Sequence, residues 1–424
     1  MRFKQAGSIP VCRRQKRFTS FQVQANVRCN KKDNTCCMKY YLSLIPWLLL
    51  LAPCLSAGAE AGHFAAQFES RHVRSLVDQT PGGALVIVER GQVVMQRTYG
   101  VTQSGGQEPV TDATLFRIAS LSKSFAAAAA SILVRDTSVT WQTPLKAHLA
   151  DLEFKEPALG EQINLRHIMS QTTGLMPHAY TNLIEENMSY PKILSRLNRV
   201  DHVCPPGRCY GYQNVVFSLV GDLVESQTSL DYPSFVRREL FEPLDMSRAS
   251  FGHKPYVEDT NRARPHVWKG KRWRTVRATD HYYKVPPAAG VNASLSDMTT
   301  WLLAQLGQRP AVLNDDLLEE MHRGIIRTSR YEAHYPKRPE LGDVYYGLGW
   351  RVFDYGAQQG FVHHGGYVRG MTSSMVFHRP SQTGMVLLTN AEPRGINELV
   401  LDFADMHDTF QLAERARQSG FGED

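Results

Sequence analysis

Residues 116 to 134 read FRIASLSKSFAAAAASILV, an apolar and alanine-rich stretch without proline or glycine. Such a composition predicts a buried helix. Ser120 lies near its start, where free backbone N–H groups and the positive end of the helix dipole favour a developing negative charge. Lys123 follows three residues later, so its side chain lies on the same face. The stretch therefore predicts a helix that presents a serine and a lysine side by side.

A lysine in so apolar a segment needs a partner or a chemical task, because burial disfavours its charge. Burial also lowers the pKa of a lysine, so that its neutral amine can take the proton of a serine hydroxyl. The simpler interpretation is chance, since a chain of this length holds roughly one or two Ser-x-x-Lys matches without function. The place of Ser120 and Lys123 at the start of a buried helix favours the functional interpretation.

A second motif, Tyr212-Gln213-Asn214, follows a turn rich in proline and glycine and precedes an apolar, helix-like stretch at 215–226. A phenol can carry a proton, and an amide can both donate and accept hydrogen bonds. Structural interpretations remain open: Tyr212 as a core aromatic residue and Asn214 as a helix N-cap. Tyr210 competes for the role of proton carrier, although the spacing to Asn214 favours Tyr212.

A third motif, His364-Gly365-Gly366, precedes two predicted strands at 372–377 and 384–388. Glycine in a strand lets a backbone or a ligand approach closely. A free N–H at this edge, together with the N–H of Ser120, can form an oxyanion hole. A histidine pair in a strand is also often structural, and His363 competes with His364 for a place in the site.

These motifs resemble those of the serine β-lactamase-related family of penicillin-recognising enzymes, which includes class C β-lactamases, D-alanyl-D-alanine peptidases and family VIII esterases. The segment around Ser120 and Lys123 carries the resemblance, which extends over residues 65–415. Three further stretches support it: LRHIMSQTTGL at 165–175, YGLGW at 346–350, and the region 290–301 with Ser296-Asp297-Met298.

The resemblance implies that Ser120 is the nucleophile of an acyl-enzyme mechanism and that Lys123 and Tyr212 form its acid/base pair. It also implies that Asn214 orients the substrate. The remaining implied substrate-binding residues lie on the opposite wall: His364, Gly366 and Tyr367, whose N–H joins that of Ser120 in the oxyanion hole. No cofactor and no metal are expected.

The third motif departs from class C β-lactamases, which usually carry Lys-Thr-Gly where this chain has His364-Gly365-Gly366. A permanent cation is thereby replaced by an imidazole that titrates near neutral pH. We therefore expect activity on carboxylate-bearing substrates to depend on the charge of His364. The departure argues against efficient β-lactam hydrolysis and leaves acyl transfer itself intact.

Composition is typical of a secreted globular enzyme. The chain has 424 residues, 42% of them hydrophobic, enough for one large domain or two. Residues 1–57 carry 10 of the 48 Lys and Arg but one of the 41 Asp and Glu, so the rest of the chain has a formal charge of −2. Charge therefore gives no reason to expect nucleic-acid binding.

The N-terminal region predicts export. Residues 1–37 are polar and basic and read as an upstream or disordered extension, with Met38 expected to be the true start. Residues 38–61 combine Lys39, an apolar run and Ala-x-Ala sites, which is typical of a signal peptide. A lipoprotein site at Cys54 is the less favoured alternative, because a proline directly precedes it. We expect a periplasmic or secreted protein with no stable membrane span after cleavage.

After cleavage two cysteines remain, Cys204 and Cys209, just before Tyr212. In an oxidising compartment they can form a disulfide that fixes the Tyr212 turn. Two buried free thiols are the alternative.

The order of elements predicts an α+β fold with an antiparallel sheet built from both chain ends and flanked by helices, and the resemblance implies that this fold is of β-lactamase/transpeptidase type. Residues 62–150 and 286–424 form the predicted sheet domain, and 151–285 a helical insertion domain. Predicted elements are a helix at 63–77, a hairpin at 83–100, strands that return near 347, and a closing helix at 395–417.

Residues 262–284 carry eight Lys and Arg, one Asp and four Trp and Tyr. The favoured interpretation is a hairpin at the rim of the cleft. The alternative is a surface for an anionic polymer such as cell-wall material.

Two classes of function follow. The favoured one is a serine hydrolase that acts on an amide, ester or β-lactam bond of a small molecule or a cell-wall peptide. The other is a non-catalytic penicillin-binding or sensor protein that retains the fold.

Overall fold

The structure, a computed structural model, describes residues 64–420. The predicted extension at 1–37 and signal peptide at 38–61 lie outside the described residues. None of the helices in residues 64–420 combines the length and apolar character that crossing a membrane requires.

Thirteen strands within this range form the sheets. In chain order, β1 to β13 are Gly82–Glu89, Gln92–Gly100, Phe116–Arg117, Ser250–Phe251, His266–Lys269, Arg272–Thr275, Val291–Ala293, Ile326–Thr328, Leu341–Tyr346, Arg351–Tyr355, Gln358–Val368, Met371–His378 and Thr383–Thr389.

Residues 64–77 are helical and end in Arg74–Val77, which we label α1. The following helices, α2 to α13, are Ser122–Asp136, Pro157–Gly160, Leu165–Met169, Thr181–Glu185, Tyr190–Leu194, Leu219–Thr228, Tyr232–Val236, His253–Glu258, Pro286–Ala289, Leu295–Gln305, Asp315–His322 and Ile396–Gly420. Short 3-10 or π turns are Glu69–Val73, Ala119–Leu121, Leu145–Ala147, Leu197–Arg199, Val216–Ser218, Arg237–Phe241 and His281–Lys284.

The main sheet is antiparallel and has the order β2-β1-β13-β12-β11-β10-β9-β8. Its first hairpin pairs with the last strand, with Gly83 opposite Thr389 and Val88 opposite Gly384. The sheet is therefore assembled from both ends of the chain, and an antiparallel sheet flanked by helices is confirmed. The division into domains at 150 and 285 stays a proposal.

Strand β1 is buried on both faces. Ala84 and Val86 face the larger apolar core around α2, whereas Leu85 and Ile87 face a second core formed with residues 64–77 and α13. Successive strand residues point to opposite faces, and both faces of β1 are covered. This explains why the sequence of β1 is a continuous apolar run. Helices thus cover both faces of the sheet.

The stretch at 116–134 is not one helix. Phe116–Arg117 form a strand that pairs with β7, a 3-10 turn follows at Ala119–Leu121, and α2 begins at Ser122. The helix propensity of these residues favours a helix throughout the stretch. The first two residues form a strand instead, because they pair with a strand nearly 180 residues away. The alanines of α2 let this helix pack closely against its neighbours. Phe125, also in α2, stacks on Trp301 with ring centroids 4.0 Å apart.

The strands of the main sheet return earlier than predicted, at Ile326 rather than near 347. The β8 residues are short of apolar side chains because they lie at the edge of the sheet, so their sequence resembles a loop. The hairpin predicted within 262–284 is present as β5 and β6.

Candidate active site

Ser120 sits in the 3-10 turn that enters α2 and is half-buried. The preceding Ala119 has φ of +49°, a left-handed conformation that is unfavourable for a residue with a Cβ. Neighbouring contacts hold the turn: the Ser373 hydroxyl donates to the Ile118 carbonyl oxygen at 2.7 Å, and the Val291 N–H donates to Ser122 Oγ at 3.0 Å. The turn is therefore fixed from two sheets at once.

Lys123 lies in the first turn of α2 and is fully buried. Its Nζ donates to Asn214 Oδ1 at 2.7 Å and to the Ala288 carbonyl oxygen at 3.1 Å, and lies 3.5 Å from Ser120 Oγ. Burial lowers the pKa of Lys123, although the neighbouring Tyr212 opposes the shift. The amine is thus held within reach of the serine hydroxyl with a reduced affinity for its proton.

Tyr212 lies over the same amine, with Lys123 Nζ 4.6 Å from its ring centroid. Burial alone would raise the pKa of Tyr212, but the charge of Lys123 and hydrogen bonding with Lys123 and Ser120 together lower it. Tyr210, the competing tyrosine, has its pKa raised to a value well above that of a free phenol, chiefly by burial. The geometry therefore favours Tyr212 over Tyr210 as the proton carrier.

The Tyr212 loop is positioned by Gln171, in the stretch 165–175. The Gln171 side chain accepts from the Gln213 N–H at 2.7 Å and donates to the Gln213 carbonyl oxygen at 3.1 Å. Its own carbonyl oxygen accepts from the Gly211 N–H at 2.8 Å. Asn214 does not cap the following helix with its side chain, which contacts Lys123 instead.

The disulfide predicted between Cys204 and Cys209 is present in the structure, with Cα atoms 6.3 Å apart. It closes a loop that also bonds the Gln171 segment, since the Gly207 N–H donates to the Thr172 carbonyl oxygen at 2.7 Å. The loop and the Gln171 segment are thus joined to each other beside the site.

The surroundings of His364 disfavour the titratable charge that its sequence position predicts. The ring is buried, with Nδ1 2.7 Å from the Gly365 carbonyl oxygen and Nε2 3.2 Å from the Tyr346 hydroxyl. A carbonyl oxygen only accepts, so Nδ1 carries the proton and Nε2 accepts from Tyr346. Burial and the charges of Arg351 and Lys123 hold the pKa of His364 well below its usual value.

Burial and the charge of Arg351 likewise hold the pKa of His363 well below its usual value. Its Nδ1 lies 2.7 Å from the Tyr335 hydroxyl. The burial of both rings argues against the expectation that the charge of His364 controls carboxylate-bearing substrates near neutral pH, and against His363 in that role, and the expectation stays a prediction. Sequence spacing could not show the burial that decides both pKa values.

Gly366 permits close contact between two parts of the protein, namely β11 and the turn that holds Ser120. A Cβ at this position would overlap the Ile118 carbonyl oxygen and Ser373 Oγ, so only glycine lets β11 lie against the Ser120 turn. The Tyr367 side chain is exposed at the rim, and its N–H remains a proposed oxyanion donor.

Arg351 is a functional candidate that the motifs missed. It is the first residue of β10, is buried, and lies directly opposite Tyr346 on one neighbouring strand and His363 on the other. Its guanidinium carbon is 6.0 Å from the centroid of the Tyr212 ring. The signal was available: YGLGW is followed at once by an arginine within an apolar strand.

These residues surround one cleft of about 610 Å³. Its lining includes Ser120, Tyr212, Asn214, His363, His364, Gly366, Tyr367 and Arg351, together with His178, Tyr282, Glu332 and His334. Lys123 reaches Ser120 from beneath the cleft. The set places a hydroxyl nucleophile against a lysine–tyrosine pair that can take and return its proton, which is an arrangement suited to acyl transfer.

Comparison with known proteins places the chain in a family. A family model described as Beta-lactamase matches residues 70–404. A protein named Beta-lactamase from Escherichia coli (strain K12) is 24% identical over 288 residues, covering 67% of this chain and 70% of that protein. Protein flp from Staphylococcus aureus (strain NCTC 8325 / PS 47) is 22% identical over 327 residues, which is 76% of this chain and 61% of the relative's length.

Among solved structures, the octameric penicillin-binding protein homologue from Pyrococcus abyssi superposes with a TM-score of 0.69 at 19% sequence identity. The match covers 82% of this chain and 77% of that one, and it shows the fold.

Proposed function

The chain belongs to the β-lactamase family of serine hydrolases, and on that premise we propose that it is an active enzyme that forms an acyl-enzyme on Ser120. The observation that carries the proposal is the contact of Lys123 with Ser120 at 3.5 Å, beneath the ring of Tyr212. A fully buried lysine with no acidic partner among the described residues is difficult to explain as a purely structural feature.

In the first step Ser120 Oγ attacks the substrate carbonyl carbon, and its proton passes to the Lys123–Tyr212 pair. The tetrahedral oxyanion is stabilised by the N–H groups of Ser120 and Tyr367. The carbonyl reforms as the bond to the leaving group breaks, and the pair returns the proton to that group. A water molecule then attacks the ester on Ser120 by the same route and releases the acid.

Asn214 holds the Nζ of Lys123 through its Oδ1 and offers its remaining amide hydrogens to substrate. The substrate class is an ester, an amide or a β-lactam. The His364 ring is buried and hydrogen-bonded at both nitrogens, and burial lowers its pKa; both features disfavour a cation in the third motif and support a preference for esters or peptides over β-lactams.

We also propose that the protein is exported to the periplasm or beyond the cell. A disulfide in the structure supports an oxidising compartment, as does the signal-peptide pattern at 38–61.

The test is a parallel assay of nitrocefin, p-nitrophenyl esters and D-amino-acid peptides with the wild-type protein and Ser120→Ala. We expect turnover of at least one class and its loss in Ser120→Ala with unchanged circular dichroism. Turnover that survives in Ser120→Ala, or none in either protein, contradicts the proposal; the second outcome supports a non-catalytic binding protein.

A further inference from the structure

A second cavity, of about 300 Å³, is separate from the cleft that holds Ser120. Residues of α9 and of the segment 262–278 form its walls, and no described residue lines both cavities. Within residues 64–420 no carboxylate lines it. The basic side chains of its lining come from three stretches of the chain: His253, Arg262, Arg264 and Arg277. The cavity is therefore positively charged.

Nearby acids do not neutralise the three arginines of this cavity. None of them forms an ion pair with a described residue. In the same part of the chain, the side chains of Arg264 and Arg277 also form no hydrogen bond. Arg262 donates to the Asp259 carbonyl oxygen, but the Asp259 carboxylate lies 2.8 Å from the guanidinium of Arg248. The guanidiniums are thus free to bind an anion.

A fourth arginine adds to the positive charge beside the cavity. The guanidinium carbons of Arg117 and Arg262 each lie 5.9 Å from the centroid of the Tyr256 ring, and Tyr256 lines the cavity. Burial and the charge of Arg264 lower the pKa of Arg262. These like charges therefore repel one another where water screens them less than at an open surface. A bound anion would relieve that repulsion.

We propose that this cavity binds a phosphate group. A phosphate ester carries a charge of roughly −1.5 to −2 at neutral pH and three strong acceptor oxygens, so more than one guanidinium can bond it. A carboxylate has one charge and two oxygens, which a single guanidinium satisfies. The volume lies at the lower end for small-molecule sites and fits a phosphate with a small substituent. This inference is independent of the proposed function, because the cavity is separate from the cleft.

The β5–β6 hairpin offers further cations next to the cavity. Lys269 lies opposite Arg272, and Val267 lies opposite Arg274. Because side chains alternate along a strand, the three cations share one face of the hairpin, and all three are exposed. Strand β6 ends at Thr275, which lines the cavity. A ligand with several phosphates can therefore extend from the cavity along this face, whereas a single phosphate ester occupies the cavity alone.

The experiment is calorimetric titration at constant ionic strength with phenyl phosphate, benzoate and tripolyphosphate. Phenyl phosphate should bind the wild-type protein about tenfold more tightly than benzoate, and Arg264→Gln should weaken it by about tenfold or more. Arg277→Gln, at an exposed position, is a second cavity variant and should also weaken it. The matched control is Arg237→Gln, which removes one exposed arginine outside the cavity and the hairpin and should leave the affinity unchanged.

Tripolyphosphate distinguishes the two kinds of ligand. For a ligand with several phosphates, tripolyphosphate binds more tightly than phenyl phosphate, and the paired Arg272→Gln and Arg274→Gln variant removes that advantage without weakening phenyl phosphate. For a single phosphate ester, the paired variant changes neither affinity. Equal affinities of the wild type for phenyl phosphate and benzoate, or equal losses in the cavity variants and Arg237→Gln, would overturn the assignment. Circular dichroism verifies that each variant is folded.

Discussion

Gln171 and Gln213 are joined in both directions, because the amide side chain of Gln171 bonds both the N–H and the carbonyl oxygen of Gln213. Gln171 itself has φ of +60°, a conformation that few residues other than glycine adopt. Two segments that are 42 residues apart are thereby fixed to each other. The positions of Tyr212 and Asn214, on either side of Gln213, depend on this pair.

We predict that Gln171→Leu lowers both stability and activity. The substitution leaves a buried N–H and a buried carbonyl without partners, and each costs about 1–3 kcal/mol. Because Tyr212 adjoins Gln213, kcat should fall at least tenfold while KM changes less. Urea unfolding and steady-state kinetics measure the two effects.

The matched control is Gln162→Leu, where an exposed glutamine bonds one backbone carbonyl oxygen. Its free energy of unfolding should stay within about 0.5 kcal/mol of wild type. If both variants behave alike, Gln171 does not position the site.

The lysine–tyrosine pair predicts a specific pH profile. Tyr212→Phe should lower kcat by about 100-fold or more, because it removes a proton carrier, whereas Tyr210→Phe should lower it far less. In the wild type, kcat/KM should rise with pH through an apparent pKa below that of a free phenol, since Lys123 lowers the pKa of Tyr212.

Lys123→Met tests whether the charge of Lys123 lowers the pKa of Tyr212. Without the positive charge, burial raises the pKa of Tyr212, so the rising limb should move to higher pH and the maximal rate should fall. A limb that stays in place in Lys123→Met would show that another group controls it.

Substitution by alanine should lower kcat/KM much more at Gly366 than at Gly365, the two glycines of the third motif. Gly366→Ala forces a Cβ into the Ile118 carbonyl oxygen, two residues before Ser120, and should reduce kcat/KM by about 100-fold, since small misplacements near the reacting atoms are costly. At Gly365 the nearest atom to an added Cβ is 3.6 Å away, so Gly365→Ala should lose less than tenfold. Equal effects in the two variants would contradict the close packing of β11 on the Ser120 turn.

Export should produce a disulfide between Cys204 and Cys209. Peptide mapping without reduction should find the two cysteines joined, and two alkylatable thiols would refute it. The paired Cys204→Ser and Cys209→Ser variant should lose about 2 kcal/mol of stability. Its kcat should fall modestly, because the bond of Gly207 to Thr172 still holds the loop.

Local pattern predicted much of this structure, and long-range packing determined the rest. The proximity of Ser120 and Lys123 could be predicted because three residues of helical or 3-10 backbone bring two side chains to the same face, and Tyr212 could be singled out because it follows a turn. The lowered pKa of His364 could not be predicted, because its burial against Tyr346 and the repulsion from Arg351 arise only when three strands align. Arg351 was missed for the same reason, since the tyrosines and histidines that surround it come from four separate segments.

The central claim is that Ser120 is the nucleophile. The most direct measurement is to react the protein with a fluorophosphonate probe, digest it, and locate the adduct by mass spectrometry. The account predicts one adduct, on Ser120, that is absent from Ser120→Ala and greatly slowed in Lys123→Met. An adduct on any other residue, or labelling that persists in Ser120→Ala, would contradict it.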